Sequence, residues 1–302
     1  MLYDCVIIGG GPAGLNAALV LGRARRGVAI VDNNQPRNAV TRSSHGFITR
    51  DGVTPGEFRR IAYEEVLHYP TVEHIQQEAV AAVKTDEGFE IEVGTGQVLR
   101  SRKLLLSSGL KEILPAIEGL LPLYGRSLFN CPYCDGWELR DRALVVVSEQ
   151  PTAFHTAKLL LNWSKDIIVC TNGNPVLSEE EARLLQARSI PVIEKPIAEF
   201  IGSDGQLQGL RFSDGAFLAR TGGFVVPKLI QSSSIGEELG CELTENGEIR
   251  TDASGKTSVP GFYSAGDAIA MRSAQLIMAA ASGSRAAISI NMELTEEDFT
   301  NQ

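Results

Sequence analysis

Cys131 and Cys134 stand two residues apart in the run Cys131-Pro132-Tyr133-Cys134-Asp135-Gly136-Trp137-Glu138. Two thiols at that spacing can close a small ring whose disulfide is readily reduced. A helix following the pair would favour the thiolate of a nearby cysteine. Asp135, beside the pair, can supply or accept the proton that sulfur chemistry requires. The competing chemistry is half of a structural zinc site, which usually needs four ligands. Cys5, Cys170 and Cys241 stand alone, without a second close pair or a histidine pair, so no metal site is expected. An inert free pair is the other alternative; redox function is the preferred reading.

A second chemical signal opens the chain. Gly9-Gly10-Gly11-Pro12-Ala13-Gly14 follows the apolar, β-branched stretch Tyr3 to Ile8 and precedes the Ala/Leu-rich stretch Leu15 to Leu21. A further apolar strand, Val28 to Val31, ends at Asp32. Strand, glycine turn, helix, strand and acid are the dinucleotide fingerprint in its expected setting. Gly9 permits the tight turn, Gly11 lets the backbone approach a pyrophosphate, and Gly14 lets the helix pack close to the strand. The helix N-terminus then faces the phosphates. Asp32 can accept from a ribose 2′-hydroxyl, and its charge would repel a 2′-phosphate.

The elements that must hold these groups repeat. Arg37 to Thr54 is polar and too long for a simple connection, which places it over a bound ligand. Phe89 to Val93 and Gln97 to Leu99 alternate as a small antiparallel excursion, and Leu104 to Ser107 reads as a buried strand. From Ala143 the pattern restarts: strand to Val147, helix Ala153 to Leu161, strand Ile167 to Cys170. Ser178 caps a helix over Glu179 to Arg188. Gly261 to Asp267 is a strand running into a turn, Ala274 to Ile290 a small-residue helix, and the acidic tail after Met292 a solvated face. The expected fold is α/β: two Rossmann-like nucleotide-binding domains of three-layer ββα type, the second inserted into the first.

Composition bounds the remaining possibilities. At about 150 residues per domain, 302 residues make two domains. With 28 Lys and Arg against 37 Asp and Glu, the net charge of −9 argues against a general nucleic-acid or anionic-membrane binder. Hydrophobic residues at 43% are too many for disorder. No apolar run approaches the ~18 residues of a membrane span. The apolar N-terminus lacks a basic leading region, so a signal peptide is not expected. An odd cysteine count of 5 speaks against a secreted disulfide scaffold, and a cytoplasmic location is expected.

Together, the N-terminal GGGPAG, the CxxCDG near mid-chain, the second nucleotide fold around it and the late GxYxAGD resemble the low-molecular-weight thioredoxin reductase family over nearly the whole chain. CPYCDGWE, with the upstream QPRNAV and SHGFITRDG, is more similar to the thioredoxin-reductase-like branch that includes fungal dithiol oxidases. The resemblance implies an FAD domain over residues 1–116 and 246–302, and a central redox-disulfide domain over 117–245. It implies that Gly9, Gly11, Pro12, Ala13, Gly14 and Asp32 hold the ADP half of FAD, with Asn38 and Ala79 also at the cofactor. Asp267 would contact the ribityl chain, and Gln275 with Leu276 would approach the flavin ring. Ser108-Gly109 stands where the family has Thr-Gly. Cys134 would face the flavin, Cys131 would exchange with substrate, and Asp135 would act as acid or base. His45 would lie beside the flavin; a plain loop histidine is the alternative. Family members are homodimers that swing one domain, and the compositions near Pro115 and Gly247 suit hinges.

The chain departs from the family where NADPH should bind. The first turn of the second fold reads Ser148-Glu149-Gln150-Pro151-Thr152-Ala153, without the three expected glycines. Glu149 sets a carboxylate where a pyrophosphate would sit. The second strand ends in Thr171-Asn172-Gly173-Asn174, and no arginine occurs between Arg142 and Arg183 to grip a 2′-phosphate. The expected function is therefore an FAD-dependent disulfide/dithiol oxidoreductase that does not use NADPH in the ordinary way. Its partner would be a thioredoxin-like protein or a small-molecule dithiol or disulfide. The other electron carrier stays open among oxygen, a ferredoxin-like protein and a second cofactor such as a second flavin, to which Trp163 could contribute unless it simply packs in its domain. An ordinary NADPH-dependent thioredoxin reductase and a non-enzymatic flavoprotein redox sensor are the alternatives.

Overall fold

The computed structural model describes residues 1–269 and 275–300; the expected helix start at Ala274 lies outside them. From the N-terminus, β1 (Leu2–Ile8) leads through the glycine turn into α1 (Pro12–Arg23), then β2 (Val28–Val31). Pro12 opens α1 at a position where its missing N–H costs nothing. α2 (Pro55–Leu67) is capped by Thr54, whose hydroxyl accepts from the Glu57 N–H at 3.2 Å. β3 (Val72–Ile75), β4 (Ala79–Thr85), β5 (Gly88–Val93) and β6 (Val98–Leu106) follow.

β6 joins two stretches that the sequence presents separately. Its first half alternates and pairs antiparallel with β5; its second half is buried on both faces and pairs parallel with β1. One strand carries both patterns because its neighbours change along its length. Each fully buried leucine of Leu104, Leu105 and Leu106 contributes about 1.5–3 kcal/mol.

β7 (Leu110–Ile113) carries the chain into a second unit, which contains β8 (Leu128–Phe129), α3 (Pro132–Asp135), β9 (Leu144–Val147), α4 (Ala153–Leu160) and β10 (Ile167–Cys170). α5 (Glu179–Ala187) starts in a reciprocal capping box between Ser178 and Glu181. β11 (Val192–Ile193), the antiparallel meander β12 (Ile197–Ser203), β13 (Gln206–Phe212) and β14 (Phe217–Ala219), and β15 (Gly222–Val225) complete the unit. β16 (Lys228–Gln231) pairs with β7 as the chain returns, followed by α6 (Ile235–Glu238), β17 (Phe262–Ser264) and α7 (Leu276–Thr300).

The two units share one plan. In the first, the strand order is β3-β2-β1-β6-β5-β4, with β17 also on β6; in the second it is β11-β10-β9-β15-β8. Cys5, Ile7, Val28 and Ile30 face α1 and α7, while Val6, Ile8, Ala29 and Val31 face the β4–β5 side. In the second unit Leu144, Val146, Ile167 and Val169 face α4 and α5, and Val145, Val147 and Cys170 face the meander. Each is a helix layer, a parallel sheet and an antiparallel layer, the α/β architecture expected.

The boundaries differ from the sequence expectation. The first unit holds Met1–Ala39, Gly46–Lys111 and the chain from Ile230 on; the second holds Val40–His45 and Glu112–Leu229. The return comes ahead of residue 246 because Ile235, Cys241 and Ile249 are buried in the first unit's core. Val40 leaves the first unit because Gly125 packs against its carbonyl.

Candidate functional site

In the first unit, β1 ends at the glycine turn and delivers it to α1. A Cβ on Gly14 would overlap the Gly9 carbonyl, and one on Gly283 the Ala13 carbonyl, so α1 lies tight against both the turn and α7. Gly11 is different: a Cβ there meets nothing within 4 Å. Gly11 is also the N-cap of α1 and places no side chain on the helix's first N–H groups. Exposed backbone beside uncapped amides is the chemistry that a pyrophosphate needs.

Asp32 lies just beyond β2 and is buried. Its Oδ1 accepts from the Gly10 N–H at 2.9 Å; its Oδ2 accepts from Arg59 Nη2 at 2.6 Å and from the Tyr63 hydroxyl at 3.0 Å. Burial pushes its carboxyl up, but these donors hold it below the usual range. Gly10, which the sequence left without a role, must be glycine because a Cβ would overlap the Tyr63 hydroxyl. Arg59 and Tyr63 also escaped the sequence reading. No short motif ties them to Asp32, and their four-residue spacing on α2 is the one signal that both share a face.

Asp267 occupies a short 3₁₀ turn after β17. Its Oδ2 pairs with Arg37 Nη2 at 2.6 Å, while Oδ1 is buried and has no hydrogen-bond partner among the described residues. Burial raises its pKa, against the pull of Arg37. The Ser108 hydroxyl is likewise buried without a partner, and Gly109 follows it with φ +71°. Orphaned oxygens are costly unless a ligand satisfies them, so the donor set fits the FAD that the resemblance implies. Gln275 and Leu276 enter α7 half-buried, with Gln275 close to Gly46. Asn38 lies in the 3₁₀ turn Arg37–Val40, and Ala79 begins β4 against the core.

In the second unit Cys131 and Cys134 are disulfide-bonded, with Cα atoms 5.3 Å apart. α3 is a single turn in which the Cys134 and Asp135 N–H groups both donate to the Cys131 carbonyl, at 3.1 and 3.2 Å. That is shorter than the helix expected, and one turn contributes little dipole to a thiolate. Asp135 is only 7% exposed. Burial, and then the Glu138 charge, push its carboxyl up to about 7, with His45 pulling the other way. His45 Nε2 lies 3.6 Å from Glu138 Oε1, so His45 groups with the disulfide's unit. Cys5, Cys170 and Cys241 are buried, and burial raises their thiols, Cys170 to about 12. No metal-binding cluster occurs among the described residues.

The turn between β9 and α4 is closed by its own side chains. Ser148 Oγ accepts from the Gln150 N–H at 3.2 Å, and Gln150 Nε2 donates to the Pro227 carbonyl at 2.9 Å. Asn172 Nδ2, from the end of β10, donates to Glu149 Oε1 at 2.6 Å. Unlike the first unit's glycine turn, this turn carries a carboxylate and side-chain hydrogen bonds of its own. Trp163 packs in its domain: a Cβ on Gly136 would stand 2.8 Å from its indole, and Tyr133 meets it edge-on at 5.7 Å.

The profile of the pyridine nucleotide-disulphide oxidoreductase family matches residues 3–284. A Claviceps purpurea protein named thioredoxin reductase tcpT is 32% identical over 281 residues, covering 89% of this chain and 88% of that one. Thioredoxin reductase sirT of Leptosphaeria maculans is 30% identical over 317 residues, covering 99% and 96%. The solved structure of a putative thioredoxin reductase, TrxB, from Bacillus anthracis superposes with a TM-score of 0.93 at 44% identity, covering 98% of this chain and 99% of that one.

Proposed function

The chain belongs to the pyridine nucleotide-disulphide oxidoreductase family, in its thioredoxin-reductase-like group, and from that premise we propose a disulfide/dithiol oxidoreductase that binds FAD and works without NADPH in the usual site. The observation that carries the reading is the turn after β9. There the Glu149 carboxylate, held by Asn172 at 2.6 Å, takes the place of the glycines that would admit a pyrophosphate. FAD, when bound, supplies the two-electron partner of the Cys131–Cys134 couple.

The protein's own residues carry the thiol chemistry. A partner thiolate attacks the Cys131 sulfur, the Cys131–Cys134 bond breaks, and a mixed disulfide forms. The partner's second thiol then displaces Cys131, leaving an oxidised partner and two reduced cysteines. Asp135, at about 7, is roughly half protonated at neutral pH and moves the proton at Cys134 in either direction. Tyr133, between the cysteines, and Trp137, three residues after them, are each 64% exposed and offer aromatic surface to a thioredoxin-like protein or a small dithiol. Oxygen or a ferredoxin-like protein would be the other electron carrier. A cytoplasmic homodimer is part of the same proposal.

Anaerobic rapid mixing tests it. A strong free dithiol should bleach the flavin, micromolar NADPH should not, and Cys134→Ser should abolish the dithiol response. Fast bleaching by NADPH would return the enzyme to the ordinary reductases.

A further inference from the structure

Arg59 does more than neutralise Asp32. Its Nη1 donates to the Gly10 carbonyl at 2.6 Å, and its Nη2 donates to Asp32 Oδ2 at 2.6 Å and to Asn34 Oδ1 at 3.0 Å. One guanidinium thus ties the glycine turn to the acid that ends β2. Asp32 Oδ2 takes three donors: Arg59, the Tyr63 hydroxyl at 3.0 Å and the Asn34 N–H at 3.2 Å. Among the described residues, Oδ1 takes only the Gly10 N–H, at 2.9 Å. A carboxylate oxygen has about two lone-pair sites, so Oδ2 is saturated and Oδ1 keeps one.

We propose that Arg59 and Tyr63 are positioning residues for the adenosine ribose of FAD, fixing Asp32 so that Oδ1 alone is left to accept a ribose hydroxyl. This rests on the FAD reading above. The groups around Asp32 are Arg59 and Tyr63 from α2, the Gly10 backbone from the turn, the Asn34 N–H just after β2, and His74 from β3, whose ring lies 4.4 Å from that of Tyr63 at a tilt of 35°. Burial lowers the His74 pKa, with Asp32 pulling the other way, and Arg59 is the cation hydrogen-bonded to the carboxylate.

The test is FAD dissociation from the purified holoenzyme, read by flavin fluorescence on dilution between about pH 8 and about pH 5. Wild type should bind with the same affinity throughout. Tyr63→Phe should weaken binding about fivefold, the loss of one donor. Arg59→Lys keeps the charge without the fork and should cost about tenfold, still independent of pH. Arg59→Met should cost about a hundredfold. Its loss should deepen as pH falls, because the Gly10, Asn34 and Tyr63 donors that remain oppose burial less than the full set does, and a carboxyl that takes up a proton is a weaker acceptor. Tyr63→Phe and Arg59→Lys both holding FAD as tightly as wild type would overturn the proposal, as would a flat pH profile in a folded Arg59→Met. If Arg59→Met does not fold, the two conservative variants decide. Wild-type protein that carries no flavin at all would instead defeat the underlying FAD reading, and this proposal with it.

Discussion

A carboxyl held at about 7 binds its proton more tightly in the folded chain than in the unfolded one, where an aspartate titrates near 3.9. The stability tied to that proton is fully present below the unfolded value and is lost as pH rises through the folded one. At pH 8 Asp135 therefore costs the fold about 2–4 kcal/mol, which Asp135→Asn should recover. Thermal melts should show the variant more stable than wild type at pH 8 and equal to it near pH 4. The same substitution removes the proton carrier, so the rate of dithiol oxidation should fall by about 10²- to 10⁴-fold and lose its inflection near neutrality. A variant that is slower but no more stable at pH 8 would show that burial does not set the Asp135 pKa. Asp135 itself was legible because it touches the cysteine motif. Its proton affinity was not, since burial, which raises it most, exists only in the fold, and His45 opposes Glu138 there only once its loop joins the second unit.

At the scale of elements, the acidic C-terminal run carries the largest correction. The sequence reads the stretch after Met292 as a solvated face, because it is rich in Glu and Asp. Instead α7 continues to Thr300, and its carboxylates meet cations from distant elements. Arg26 binds Asp298 at 2.6 Å, Arg102 binds Glu297 at 2.9 Å, and Glu293 takes Lys103 at 3.0 Å and Lys256 at 2.6 Å. Lys103 is 6% exposed on β6, so its charge depends on these partners. Such pairing is invisible in a local pattern, since each cation lies far away in the chain. Burial pushes Glu293 up, but Lys256 and Lys103 draw it down to about 2. Its stability contribution is present above the unfolded value near 4.3 and is lost as pH falls toward 2. Glu293→Gln should lower the unfolding free energy in urea by about 1–3 kcal/mol at neutral pH. The gap should close as the solution is acidified below about pH 4. An unchanged urea midpoint would mean that solvent or Glu297 satisfies Lys103 unaided.

Over the whole molecule, two copies of one layered plan have diverged at a single kind of turn. The duplication was legible because buried parallel strands are short apolar runs, and Ala143 to Cys170 repeats the spacing of the opening. The exact residues exchanged between the units were not, since Ile235 and Cys241 declare their side only through burial. The plan predicts a stoichiometry. In the first unit, Gly11 leaves open space beside uncapped amides, and Asp267 keeps a buried oxygen with no partner among the described residues. In the second, Ser148 and Gln150 bond each other, Glu149 meets Asn172, and Trp163 is packed against Gly136 and Tyr133. A nucleotide there would have to break those bonds and accept a carboxylate against its phosphates, a repulsion that grows as water is excluded. Heat release of flavin from purified protein, quantified against chain concentration, should therefore return one FAD per chain. Two per chain would require the second turn to open on binding, and would make Glu149 and Asn172 parts of a second cofactor site rather than its closure.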